Sequence, residues 1–511
     1  TVLNASNLEP IKGIMVGLYN VADTLPPDSL FTTRAFERVS RTNGSGRFTI
    51  KGIKPATYRI FALQDTDGNF FFSQKNEMIS LDSVTVDPTC APDVRTDSVF
   101  KEVGGKIVLD TLLRTPYTHF FPDNILLHAF LEEGQSHYLL KTERPEPLKF
   151  TLFFTAPADT LPLMRGFNFD ADRSFVIEQN PTLDTLVYWV RDTTVAYMDT
   201  LAFSLTYLET DTLGQLVPRT DTLNLSPKIT RQRQLKELAD KTKEWEKEQK
   251  KAQKREGADF KPEPNPHLIK WAEVTYTPSG AIGPNENVTL EFNEPIDTID
   301  SAGIHLQIKR DTLWYDAPYV FSRLNNHPRR FRLYAEWRPK DEFRLNIDSA
   351  SVHSIYGLTN KKLEHKISVR SLDDFGSLFI VVHAPDTGIV VQLLDKGDKV
   401  LRQQRADAKG HADFFYLKPG EYYVRCFIDL NANNRWDTGE FATRRQPEEV
   451  FYFPQSLVGR AKWDVEQEWS PRSIDKVKQK PLVITKQKPD QKKAIKERNK
   501  EREAIWGKKK K

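Results

Sequence analysis

Phe415-Tyr-Leu-Lys-Pro-Gly420-Glu-Tyr-Tyr-Val-Arg-Cys-Phe-Ile-Asp429-Leu-Asn431-Ala-Asn433 repeats, in altered form, a passage near the start of the chain, Phe48-Thr-Ile-Lys-Gly-Ile-Lys-Pro-Ala-Thr-Tyr58-Arg-Ile-Phe-Ala-Leu-Gln-Asp65-Thr-Asp67-Gly-Asn69. Each copy runs a hydrophobic strand into a loop of acids and amides. A strand whose end is marked this way, met twice in one chain, predicts a modular β-protein.

The surrounding sequence agrees. Asn287-Val288-Thr289-Leu290-Glu291-Phe292 and Glu342-Phe343-Arg344-Leu345-Asn346-Ile347 alternate polar and apolar residues, the period of a strand with one face on a core and the other in water. Similar segments recur with Gly, Pro, Asn and Asp between them, and helices that would connect parallel strands are nearly absent. The expectation is all-β: tandem antiparallel β-sandwiches, Ig-like and transthyretin-like, with one charged inserted helix and a basic C-terminal tail. The tripeptide Asp-Thr-Leu begins at Asp23, Asp110, Asp159, Asp184, Asp199, Asp211, Asp221 and Asp311. It reads as a turn-to-strand junction, with Asp closing the turn and branched Thr entering the pleat.

A chain of 511 residues exceeds one core of ordinary size and predicts three to five domains of roughly 100 residues. Boundaries are expected at 1–92, 96–227, 264–370 and 372–469 for β-domains, with a helix at 228–263 and a tail from 470. Between Thr230 and Arg255 there is no Gly or Pro, and Leu235, Leu238 and Trp245 fall at helical spacing. Gly257 would end that helix.

The net charge of +4 is segregated: residues 471–511 hold 16 Lys/Arg against 5 Asp/Glu and residues 228–257 hold 11 against 6, so the rest of the chain is acidic. An acidic folded body excludes nucleic acid as a partner. The helix at 230–256 and the basic tail are instead the expected partner-facing elements. No apolar run is long enough to cross a bilayer as a helix. Two cysteines, Cys90 and Cys426, make no disulfide framework. The chain opens at Thr1 without Met or a signal-peptide pattern, which is read as a start downstream of the natural one.

One segment carries metal-site spacing. Asp429, Asn431, Asn433, Asp437 and Glu440 place oxygen side chains at positions one, three, five, nine and twelve of a twelve-residue loop. Arg435 stands at the seventh, where a backbone carbonyl serves a calcium ion. Asn434 holds the sixth position, usually Gly, and suits a left-handed turn. The loop is therefore a candidate calcium site, and the competing reading is a hairpin whose Asp and Asn side chains bond their own backbone. In the first copy Asp65, Asp67 and Asn69 fit, whereas the ninth and twelfth positions are Ser73 and Asn76 and Glu77 falls one residue late.

Catalytic patterns are weak. Asp386-Thr387-Gly388 and Asp437-Thr438-Gly439 echo the aspartic-protease triplet, but they are followed by Ile389 and Glu440 and lie in one expected domain. No Gly-x-Ser-x-Gly elbow, His-Glu-x-x-His pair or phosphate-cradling loop occurs. The chain reads as non-enzymatic.

The two repeat modules resemble carboxypeptidase-regulatory-like or B-repeat-type sandwiches of bacterial surface proteins, some of which carry calcium in an Asp-x-Asn-x-Asp-Gly loop. Residues 264–370, with Leu290-Glu-Phe-Asn-Glu-Pro295-Ile and Ser354-Ile-Tyr356-Gly357, resemble a bacterial Ig-like domain. The order of modules, with Trp436-Asp-Thr-Gly439 and Arg445-Gln446-Pro447-Glu448, is similar to Ig-like-domain surface lipoproteins of the Bacteroidota. That resemblance implies a rigid rod or arc of sandwiches held at the outer membrane by a lipidated Cys upstream of this chain, acting by contact as an accessory subunit of a membrane protein complex, with outer-membrane protein assembly or transport as its setting. A carbohydrate-binding or adhesin-type module is the alternative, and it would need aromatic side chains, Phe70, Phe71 and Phe72 among the candidates, gathered on one exposed surface.

Overall fold

The computed structural model describes residues 1–490 apart from 104–105, 133–135, 212–214, 257–260, 262–263 and 385. It is a chain of four β-sandwiches. Strand alternation is realised as read: along Val288–Phe292 and Glu342–Ile347 every second residue is buried.

The first sandwich carries an antiparallel sheet ordered Arg38–Arg41, Met15–Asn20, Tyr58–Leu63, Ile79–Val86, and a parallel pair of Val2–Asn4 with Leu127–Ala129. The fourth repeats that order with Val400–Arg405, Ile389–Leu394, Gly420–Ile428 and Val450–Tyr452, facing a second sheet of His411–Leu417, Gly376–Val382 and Asp464–Trp469. Between them lie a second sandwich, whose strands run from Leu139–Glu146 to Leu216–Leu225, and a third, from Val274–Thr277 to Leu363–Ser368. Each has its own apolar core. The charged helix spans Arg231–Glu256; Leu235 on it is exposed, and Arg231 lies 3.9 Å over the ring of Tyr197. Among the described residues no helix is long and apolar enough to cross a membrane.

The expected boundaries at 92 and 96 are corrected. Both fall inside the strand Thr89–Val103, which pairs along its whole length with Lys106–Phe121 in a two-stranded ribbon. The first sandwich resumes after that ribbon with Leu127–Ala129, so the ribbon is an insertion in the first module. A three-residue closing strand carries too little periodicity to be seen in sequence.

The tail from 470 is corrected in part. Residues 471–490 lie on the body: Gln479, Lys480 and Ile484 are buried. Lys480 Nζ meets Asp398 at 2.7 Å, Glu9 at 2.9 Å and the Asn7 carbonyl at 2.9 Å, and Asp490 takes Lys12 at 2.7 Å. The remainder of the expected tail, 491–511, lies outside the described residues, as does Gly257.

The expected rod is corrected as well. Leu3 and Leu8 of the first module share a buried cluster with Val390, Leu394, Tyr423, Phe427, Val450, Tyr452 and Ile484. The first and last modules therefore share a core, although the whole chain separates them. The second and third also touch, through Arg329 and Glu178 at 2.8 Å and the Tyr356 hydroxyl on the Leu148 carbonyl at 3.2 Å.

Candidate functional site: two equivalent loops

Both acid-and-amide loops leave the C-terminal end of the long central strand, after Leu63 and after Ile428. Positive φ recurs at the same places, Gly68 and Phe70 in the first, Ala432 and Asn434 in the second. The left-handed turns bring backbone N–H groups onto the leading carboxylate. Asp65 accepts from Gly68 N at 2.8 Å and Phe70 N at 3.2 Å; Asp429 accepts from Asn433 N at 3.2 Å and Asn434 N at 2.8 Å.

A buried glutamate closes each loop. Glu77 accepts from Thr66 N at 3.1 Å, Ser73 N at 3.0 Å and Gln74 N at 3.3 Å. Glu448 accepts from Leu430 N at 2.7 Å and Asp437 N at 3.0 Å. Thr66 and Leu430 each follow the leading Asp, and Ser73 and Asp437 each hold the ninth position, so the two glutamates perform one job. Sequence spacing missed this in the second loop. Glu77 stands four residues after Ser73, whereas Glu448 stands beyond an inserted excursion, 438–447.

That excursion removes Glu440 from the ligand set expected for calcium, which is a correction. Glu440 bonds Arg445 O through its N–H at 2.8 Å and accepts from the Thr443 hydroxyl at 2.6 Å. Its side chain lines, with Phe72, Lys75, Glu132 and Phe441, a surface cavity of about 440 Å³ between the first and fourth modules. Asn431, Asn433 and Asp437 do gather, but onto one another: Asp437 accepts from both amide groups, the Asn433 one at 2.9 Å. Asn433 in turn accepts from Arg435 N at 2.6 Å. The leading carboxylate is paired with Arg405. A guanidinium on the first ligand and a twelfth ligand turned away leave a donor set that does not fit a calcium ion.

The first loop gathers more acid. Asp65, Asp67 and Glu77 each offer a carboxylate oxygen within 4.8 Å of the others, and among the described residues no Lys or Arg pairs with them. Those oxygens are held by the loop itself: Asp67 accepts from Asn69, Ser73 and Gln74 side chains at 2.9, 3.0 and 3.0 Å.

The excursion docks on the first sandwich. The Thr438 hydroxyl donates to Leu131 O at 2.6 Å and Gln446 Nε2 to Leu81 O at 2.9 Å. Phe441 N–H donates to the Glu132 carboxylate, and Arg444 pairs with Asp28. The Phe441 ring sits 5.7 Å from Phe31 and 5.3 Å from Phe72. Phe72 is thereby buried while Phe70 stays 48% exposed, so the Phe70–Phe72 run is no aromatic platform. The protease echo dissolves too: Asp386 is clamped by Arg472 at 3.1 Å, and Asp437 is held by amides.

No protein-family model matches the chain, and no curated protein matches it. Among solved structures, BcpA, the major pilin subunit of Bacillus cereus, is 9% identical over 92% of this chain and 98% of its own, with a TM-score of 0.15. A fragment of native alpha-2-macroglobulin from Escherichia coli is 10% identical over 62% of this chain and 97% of its own, TM-score 0.19. The Bacillus anthracis TIE protein is 12% identical over 66% of this chain, which spans 58% of that one, TM-score 0.14. Overlap this low says nothing about chemistry.

Proposed function

We propose that this chain is a non-enzymatic interaction protein of the bacterial envelope, anchored at the outer membrane by a segment outside these residues and working as the accessory subunit of a membrane protein complex. The anchoring and the setting rest on the resemblance of its motifs to Bacteroidota surface lipoproteins. The observation that carries the interaction reading is the ribbon inserted in the first module. Its strands, Thr89–Val103 and Lys106–Phe121, are about 50 Å long at 3.3 Å per residue. Val94, Val108, Leu109, Leu112, Leu113, Tyr117, Phe120 and Phe121 on it are exposed.

A lone two-stranded ribbon is marginal in water unless something covers it. Cross-strand pairing puts Val94, Leu112 and Phe120 on one face and Leu113, Tyr117 and Phe121 on the other, so the cover must reach both faces. Asp93, Arg95 and Arg114 interleave with these side chains, which disfavours burial in a lipid bilayer. A folded protein with an apolar cleft fits the ribbon; the cavities described on this chain, of about 440 and 200 Å³, are too small for a second copy to supply one.

The test is photo-cross-linking in cells, with benzoylphenylalanine at Leu112 and at Leu113 in turn. Cross-links from both faces to one other protein, abolished by Leu109→Asp together with Phe120→Asp while the melting curve stays unchanged, are expected. Cross-links only to lipid, only to a second copy, or from one face alone would overturn the reading.

A further inference from the structure

The calcium pattern of the second loop fails on geometry, and the group that defeats it has a role of its own. We infer that Arg405 is the resident cation of this loop, so that the contact between the first and last modules is locked without metal. The Asp429 side chain is completely buried, and a carboxylate taken out of water needs a counter-charge and hydrogen bonds. Arg405 supplies both: one guanidinium nitrogen pairs with Asp429, and Nε donates to Asn434 Oδ1 at 3.1 Å. Neighbouring Gln403 donates to the Asn434 carbonyl at 3.1 Å, so one strand edge holds both ends of the turn.

The first module carries the same residue at the same place and uses it differently. Arg405 pairs in register with Val390, two residues after Gly388, and Arg41 pairs with Met15, two residues after Gly13. Both glycines have positive φ. Arg41, however, donates to the Gly13 carbonyl at 3.1 Å, and no ion pair joins it to Asp65 among the described residues. The sixth loop position explains the difference in part: Phe70 offers a guanidinium no side-chain acceptor where Asn434 offers one. From the locked turn, Asp437 and Glu448 carry the fixed geometry to both ends of the excursion, and Phe441 carries it to the first sandwich.

The experiment uses the full chain with Asp67→Asn, which removes one of the three gathered carboxylates of the first loop. Melting is followed in chelator and in millimolar calcium, and terbium emission is excited through Trp436 of the second loop, whose equivalent in the first loop is Phe72. With Arg405 present, calcium leaves the melting temperature in place and no Trp436-dependent emission develops. Arg405→Ala melts lower by about 3 °C in chelator, recovers in calcium, and gains terbium emission that Asp437→Asn abolishes. Arg405→Gln, which keeps a donor for Asn434 but removes the charge, reads the same signals if the alanine variant does not fold; Arg405→Lys stays metal-independent. Terbium emission in the Arg405 protein that calcium displaces overturns the inference. So does an Arg405→Ala protein that melts like its parent, or one that melts lower and is not restored by calcium.

Discussion

The loop after Gln64 and the loop after Ile428 begin alike and finish differently. Both open with a carboxylate held by backbone N–H groups, turn left-handed at the fourth and sixth positions, and close on a buried glutamate. The first closes within its own module. The second admits ten residues before its glutamate and uses them to reach the first sandwich, while a guanidinium takes the place of a cation. What is shared is the device that ends a strand; what differs is the use made of the space around it.

The sharpest way to probe the shared part is to remove the closing glutamates. Glu77→Ala and Glu448→Ala each remove the buried carboxylate that backbone N–H groups of the loop share, three in the first loop and two in the second, and a loss of about 2 kcal/mol is expected from each. Urea unfolding of the two variants reads this directly, and a silent Glu448→Ala would break the equivalence. The glycines at the loop roots come next. A Cβ on Gly388 would stand 2.5 Å from the Asp429 carbonyl oxygen, whereas one on Gly13 meets nothing within 4 Å. Both pay the left-handed penalty of about 1 kcal/mol, so Gly13→Ala is expected to cost about that much and Gly388→Ala at least twice as much. Equal costs would show that the second loop is no tighter than the first.

Phe441→Ala probes the unshared part. Its half-buried ring is expected to be worth about 2 kcal/mol, and its loss is expected to separate the unfolding of the first and fourth modules into two calorimetric steps. The smallest effect is on pH dependence. Burial pushes the Asp429 carboxyl up, but the Asn434 N–H and the Arg405 charge outweigh it and leave the group below its ordinary value. Its contribution is therefore present above the ordinary Asp value of about 3.9 and is lost as pH falls through the folded value. Glu448 moves the other way, raised first by burial. Its ionisation costs stability as pH rises from the ordinary Glu value of about 4.3 through the folded one. Melting temperatures between pH 7 and the acid limb are expected to show Glu448→Gln removing a small gain on mild acidification, and Arg405→Ala moving acid unfolding to higher pH.

Much of the fold was legible because it is local. The alternation at Val288–Phe292, the helical spacing of Leu235, Leu238 and Trp245, and the repeated Tyr strand each report a period that the backbone imposes within a few residues. The site was legible only at its opening. Asp429, Asn431, Asn433 and Asp437 carry the spacing signal, and Glu440 fills the twelfth position, where the pattern demands an acid. Glu448 carried no such signal, since the excursion moved it out of any fixed spacing; the comparison with Glu77, itself one residue off the pattern, was the clue available. Arg405 lay in another strand, where its partner is set by sheet register.

An all-β, modular chain with one charged helix and two related strand-and-loop passages follows from local sequence, because periodicity and turn chemistry act between near neighbours. Only long-range packing brings the first and last modules onto a shared core, inserts the paired strands Thr89–Val103 and Lys106–Phe121 within a module, and sets a guanidinium where a metal was expected. Those outcomes depend on which surfaces meet after the strands have formed, and a buried carboxylate accepts whichever positive charge the packing brings to it.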